Sequence, residues 1–177
     1  MSKNIVVLSG SPRKNGNSNK LVAAFKDGAQ SAGKNVTVFQ TAHMKIAGCM
    51  GCEYCLKNPG KCTLDDDMSG ILDALQKADA VVWASPVYYF SVTAQLKATI
   101  DRSYPLISES AKQAALLLTC ADESSDTAAG ALAIYHRTLE YYKWVDAGVI
   151  IATDVEHIND IDGRKELGQA RELGRMI

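Results

Sequence analysis

A chain of 177 residues with 19 basic and 20 acidic side chains, net charge −1, is sized for one domain and carries no basic excess for a nucleic acid. Its longest apolar runs, such as residues 80–84 and 149–152, are far too short to span a bilayer, and the N-terminus enters a strand without the basic and apolar regions of a signal peptide. No membrane partner is expected and a cytoplasmic location is; in that compartment thiols stay reduced, so five cysteines point to metal or redox chemistry before disulfides.

The elements alternate strand and helix over residues 1–177, with no internal repeat, and the cysteines lie in an insertion at about 41–65. Asn4–Ser9 reads as the first strand. The first helix starts near Ser18, with Leu21, Phe25, Gly28, Ala29 and Ala32 on one face. Asn35–Gln40 is a second strand, with Val36, Val38 and Phe39 inward. A helix begins at the Asp65–Asp66–Asp67 run, which suits a helix N-terminus, and its stripe is Met68, Ile71, Leu72 and Leu75. Ala80–Ala84 is uniformly apolar, as a strand covered on both faces reads, and Pro86 is expected to stop it. Ser91 is expected to cap the next helix, with Val92, Leu96 and Ile100 inward. Ala114–Thr119 is a fourth strand; Ser124 or Ser125 caps a long helix running to about Lys143; Trp144–Thr153 contains the fifth strand. Asp162 is expected to cap a terminal helix holding Leu167, Ala170 and Leu173. Five such units predict an α/β three-layer sandwich around a five-stranded parallel sheet of the flavodoxin-like order 2-1-3-4-5. Ligands then bind beyond the carboxyl ends of the strands, at the loops after strands one, three and four.

The first of these loops, Gly10-Ser11-Pro12-Arg13-Lys14-Asn15-Gly16-Asn17-Ser18, lacks the G-x-G-x-x-G of a dinucleotide fold. It also lacks the Walker spacing, since five residues separate the glycines and Asn17 fills the lysine slot. It offers instead hydroxyls and amides (Ser9, Ser11, Asn17, Ser18), one guanidinium (Arg13) and a helix N-terminus, a set suited to a monophosphate. The plainer account is a βα turn with Ser18 as N-cap. The second loop, Ser85-Pro86-Val87-Tyr88-Tyr89-Phe90-Ser91, puts three aromatics at the ligand edge, a stacking surface for a flat conjugated ring or a helix or dimer contact. The third, Thr119-Cys120-Ala121-Asp122-Glu123, has small residues that allow close backbone approach, and acids that also suit a helix start. Strand one ends in Leu8-Ser9 without an acid, which speaks against phospho-aspartate chemistry.

Cys49, Cys52, Cys55 and Cys62 read C-x2-C-x2-C-x6-C. Four thiols in so short a stretch suit a soft metal centre, and the tight triple spacing leans to [4Fe–4S] over zinc. The alternative is a loop of free or packed cysteines. Cys120 stands apart, and His43, His136 and His157 are scattered without metal-pair spacing. Tyr135, Tyr141, Tyr142 and Trp144 read as packing or oligomer residues.

With the loop 10–18, the segment Cys49–Cys62 followed by Asp66-Asp67-Met68, and Ser85-Pro86-Val87-Tyr88-Tyr89, the chain resembles the flavodoxin-like NAD(P)H-dependent FMN reductases, especially their iron–sulfur flavoprotein branch. The resemblance implies that Ser11, Arg13, Asn17 and Ser18 hold the FMN phosphate and that Pro86, Val87, Tyr88 and Tyr89 lie along the flavin. Thr119–Asp122 (with Thr119, Ala121 and Asp122 as contacts) would sit near the pyrimidine edge. It implies a homodimer or higher homo-oligomer, with flavin sites near the subunit interface. The function expected is an FMN-dependent oxidoreductase that takes hydride from NAD(P)H and passes electrons to a quinone, a nitro compound, another flavin or an iron–sulfur acceptor, with no side chain assigned as catalytic. The alternative is an electron carrier with FMN, and a [4Fe–4S] cluster if the cysteines hold one, reduced by a ferredoxin-like donor. A zinc-stabilised binding domain without flavin is a third reading.

Overall fold

The computed structural model describes residues 2–106 and 111–177. The chain order is β1 (Asn4–Ser9), α1 (Asn17–Ser31), β2 (Asn35–Gln40), α2 (Tyr54–Lys57), α3 (Met68–Gln76), β3 (Ala80–Pro86), α4 (Ala94–Arg102), β4 (Gln113–Thr119), α5 (Ala129–Tyr142), β5 (Val145–Ala152) and α6 (Lys165–Met176). The strands form one five-stranded sheet in the order β2-β1-β3-β4-β5, and every pairing is parallel. This is the predicted flavodoxin-like arrangement.

Alternation along the buried strands divides the core in two. Val6, Leu8, Val81, Trp83, Leu116 and Leu118 face one way, against the stripe of α3 and the inner sides of α4 and α5. Ile5, Val7, Val82, Ala84, Ala115 and Leu117 face the other, against α1 and α6. Both faces being covered is why β3 reads as an unbroken apolar run. On the second face α1 and α6 bring their backbones into direct contact at two glycines. A β-carbon on Gly28 would collide with the Arg171 carbonyl, and one on Gly174 with the Phe25 carbonyl.

Several boundaries differ from the sequence reading, each for a local reason. β3 runs on through Pro86, whose missing N–H costs no ladder bond at a strand's last position. The cap of α4 is Thr93, whose hydroxyl accepts from Leu96 N at 3.4 Å, because Ser91 is engaged in a tight turn with Tyr88. The N-cap of α1 is Gly16, not Ser18. α6 starts after Arg164, and Asp162 pairs with Lys20 instead of capping it. Ala32 is an exposed C-cap residue, and the edge strand β2 leaves Val36, Val38 and Phe39 half-buried.

Candidate functional site

Three loops meet at the carboxyl edge of the sheet around a cavity of about 310 Å³. The loop after β1 is an arch fixed by its own bonds. Ser9, buried at the strand end, donates to Asn19 Oδ1 at 2.7 Å, and Asn19 Nδ2 donates to the carbonyls of Arg13 at 2.8 Å and Lys14 at 3.2 Å. The Ser9 hydroxyl is therefore turned under the arch and Ser9 does not line the cavity, so among the candidates it is a supporting residue. Thr93 donates to the Gly10 carbonyl at 2.9 Å and ties the arch to the start of α4. Asn19 and Thr93 were not singled out in the sequence; both act on backbone carbonyls of the arch, and a carbonyl leaves no side-chain signal.

Ser11, Arg13, Gly16, Asn17 and Ser18 form the cavity's floor around the N-terminus of α1. No side chain caps that helix, so first-turn N–H groups are left to a ligand or water. Ser18 and Thr119 hydroxyls lie 2.6 Å apart. Two hydroxyls sharing one hydrogen bond keep one further O–H to donate. Asn17 Nδ2 donates to the carbonyls of His157 at 2.8 Å and Val155 at 3.3 Å, while its Oδ1 is buried without a partner. Arg13 is exposed and donates to the Glu156 carbonyl at 3.0 Å. The segment after β5 thus supplies a fourth wall, Val155 and Glu156, that the sequence reading missed; it contributes main chain, which leaves no motif.

Pro86, Val87 and Tyr88 form the opposite wall, with Thr119 and Ala121 between. Val87 N donates to the Thr119 carbonyl at 2.8 Å, holding the second and third loops together. Tyr88 and Ser91 exchange backbone bonds of 2.9 and 3.1 Å across a two-residue turn in which Tyr89 (φ 47°) and Phe90 (φ 64°) are both left-handed. That conformation costs an L-residue roughly 1–2 kcal/mol. It is held down by α5, where Gly130 has no β-carbon to collide with the Phe90 carbonyl. The turn throws Tyr89, 99 % exposed, and Phe90, 63 % exposed, away from the cavity that Tyr88 lines. Asp122 also lies outside it, accepting from Ser124 N at 2.8 Å. Cys120 is buried beside this edge, and burial pushes its thiol up.

The cysteine segment lies apart from this cavity. Cys49, Cys52, Cys55 and Cys62 all line one small space of about 30 Å³, room for about one water. Cys49 and Cys52 are exposed, Cys55 and Cys62 half-buried, and none is in a disulfide. Burial pushes the Cys55 thiol up, and its three neighbouring thiols add to the effect. Among the described residues no three His, Cys, Asp or Glu side chains are drawn together closely enough to hold a metal ion. The four thiols share a wall without converging on a point, and the all-sulfur donor set is that of a soft metal centre. Asp66, expected at a helix start, accepts from Met68 N at 3.1 Å and also pairs with the buried Arg102.

Comparison with known proteins fits this geometry. The family model for NADPH-dependent FMN reductase matches residues 3–152. An iron–sulfur flavoprotein of Archaeoglobus fulgidus is 42 % identical over 100 residues, 56 % of this chain and 45 % of that protein. One from Methanocaldococcus jannaschii is 38 % identical over 102 residues, 58 % of this chain and 52 % of that one. The matched stretch thus spans about half the length of these curated relatives. Among solved structures, an NAD(P)H:quinone oxidoreductase from Methanothermobacter marburgensis superposes with a TM-score of 0.79 at 19 % identity, covering 99 % of this chain and 96 % of that one. An azoreductase from Bacillus anthracis superposes with a TM-score of 0.74 at 16 % identity, covering 99 % and 100 %. At such identities the superpositions establish the shared fold. The flavodoxin-like sheet, the arch after β1 and the family match together place the chain in the NADPH-dependent FMN reductase family.

Proposed function

We propose that the chain binds FMN in the cavity at the sheet edge and works as an oxidoreductase through it. The observation that carries this reading is the uncapped N-terminus of α1, ringed by Ser11, Arg13, Asn17 and Ser18 and facing a wall of Pro86, Val87 and Tyr88. Backbone N–H groups, the remaining O–H of the Ser18–Thr119 pair and the Arg13 guanidinium take a terminal phosphate without a metal ion. Pro86, Val87 and the Tyr88 ring lie alongside the flavin, and Ala121 leaves room for its polar edge to meet backbone. When bound, the flavin supplies the hydride and electron chemistry; the chain's own residues seat it and exclude water from one face. NAD(P)H is the proposed donor, and a quinone, nitro compound, flavin or iron–sulfur centre the acceptor.

The four cysteines support a second reading, in which the same fold carries electrons between protein partners. Cys49, Cys52, Cys55 and Cys62 then hold a [4Fe–4S] cluster, and a ferredoxin-like protein is the donor. We also propose a homodimer or higher homo-oligomer in the cytoplasm, with the exposed Tyr89 and Phe90 at the contact between copies; no described helix is long and apolar enough to cross a membrane. Anaerobic purification followed by stopped-flow mixing with NADH and NADPH separates the readings. Yellow protein whose flavin band bleaches rapidly supports the nicotinamide-dependent enzyme. Bleaching only with reduced ferredoxin supports the carrier. A chain that neither retains nor rebinds FMN removes both.

A further inference from the structure

One buried cation closes the neck of the cysteine segment. Arg102, the last residue of α4, is 2 % exposed. Its Nη1 donates to the Ala47 carbonyl and to Asp66 Oδ2, each at 2.9 Å, and Nη2 donates to Asp66 Oδ1 at 2.9 Å. The same carboxylate accepts from Ala47 N at 3.0 Å and Met68 N at 3.1 Å. Beside it, Lys45 N donates to Asp67 Oδ2 at 2.7 Å and Asp67 N to the Lys45 carbonyl at 3.1 Å. Residues 45–47 precede Cys49 and residues 66–67 follow Cys62, so all four thiols ride on a loop whose two ends are clasped together.

The clasp leaves one donor over. Arg102 Nε is buried and has no hydrogen-bond partner. Arg102 lines the small cavity shared by the four cysteines, and Cys62 lies beside its guanidinium. A neutral thiol is a weak acceptor, whereas a metal-bound thiolate sulfur is a strong one. A buried donor that makes no well-formed bond, with the Cys62 thiol already within interaction range of its guanidinium on the wall where the thiols gather, is placed to donate to sulfur.

We propose that Arg102 is a positioning residue for a four-thiol metal centre, closing the loop at its neck and donating from Nε–H to the Cys62 sulfur when that sulfur is a metal ligand. The inference rests on the proposed reading of the four cysteines as ligands and adds to it a residue outside the cysteine motif. Such a hydrogen bond stabilises the more negative, reduced state of the centre, so it raises the reduction potential. It also orients the ligand and slows release of the metal.

The test is anaerobic reconstitution of the full chain with iron and sulfide, comparing wild type, Arg102→Lys and Asp66→Asn. Iron and sulfide per chain, loss of iron to a chelator and reduction potential are read on each. Arg102→Lys is expected to bind iron about 10–100-fold more weakly and to titrate at a lower potential. Asp66→Asn opens the neck but keeps Nε–H, so it loses iron faster without the fall in potential. Wild type and Arg102→Lys holding iron equally well at one potential would overturn the role of Arg102. A wild-type chain that binds neither iron nor cobalt(II) overturns the reading of the cysteines, and the role of Arg102 with it. Should Arg102→Lys be unfolded by circular dichroism, isotope-labelled arginine in the wild-type chain decides. A nitrogen coupling to the reduced centre in pulsed electron paramagnetic resonance supports the hydrogen bond, and its absence overturns it.

Discussion

The arch after β1 and the cysteine loop after β2, which holds only the single turn of α2, are both polar connections, but they are fixed by opposite means. The arch is bonded along its whole length: Ser9 and Asn19 support it from below, Thr93 from the side, and Arg13 and Asn17 reach across to the segment after β5. Its donors already face an open cavity. The cysteine loop is fixed at its neck, by Asp66 and Arg102, and at one further point, where Gly60 N–H donates to the Pro105 carbonyl at 3.0 Å, while its first two cysteines stand in solvent. A site held throughout is ready for its ligand, whereas a site held at its base needs the ligand to complete it. The first kind loses affinity when one contact is removed; the second loses its shape when the base is cut.

Cutting that base gives the largest expected effect. Arg102→Ala leaves the Asp66 carboxylate without its cation, and removal of one partner of a buried pair destabilises by about 3–5 kcal/mol; urea unfolding monitored by tryptophan fluorescence measures it. Acid does the same reversibly. The Arg102 guanidinium, with hydrogen bonds from Ala47 and Met68 N–H, holds the Asp66 carboxyl below its ordinary value of 3.8. A carboxyl depressed on folding contributes stability that is full above that ordinary value and is lost as pH falls through the folded one. Wild type should therefore weaken more steeply than Asp66→Asn as the pH is lowered from about 4; equally steep acid limbs in the two proteins would show the assignment to be wrong. On the arch, Arg13→Ala should weaken FMN by about 1–3 kcal/mol in a fluorescence titration while leaving the unfolding midpoint unmoved. The smallest effect concerns the aromatic turn. Phe90→Gly relieves a left-handed residue and should stabilise the fold by roughly 1 kcal/mol, seen as a small rise in Tm; a fall would mean that the ring makes contacts that outweigh the strain.

Much of the fold was legible because its signals are local. The uniform apolar β3, the stripe Met68–Ile71–Leu72–Leu75 and the glycine- and serine-rich arch each announce themselves within a few residues. What escaped was written at long range or in main chain. Nothing near Asp66 points to Arg102, 36 positions away, so the acidic run read as a helix start. Ser91 resembles a cap as much as Thr93 does; only the left-handed turn at Tyr89–Phe90 decides between them. Ser9 looked like a ligand because its side chain's downward direction depends on Asn19, in the first turn of the next helix. Val155 and Glu156 meet the arch largely through carbonyls, which any side chain could accompany.

The glycine-to-carbonyl contact between α1 and α6 reaches further than its place in the core suggests. The family match ends at residue 152, before α6 begins, yet α6 is the buttress that sets the tilt of the helix whose first turn opens on the cavity. Trimming the tail, or placing a bulky side chain at Gly174, would misalign the helix dipole that opens on the cavity from the far end of the molecule, with no residue of the pocket altered.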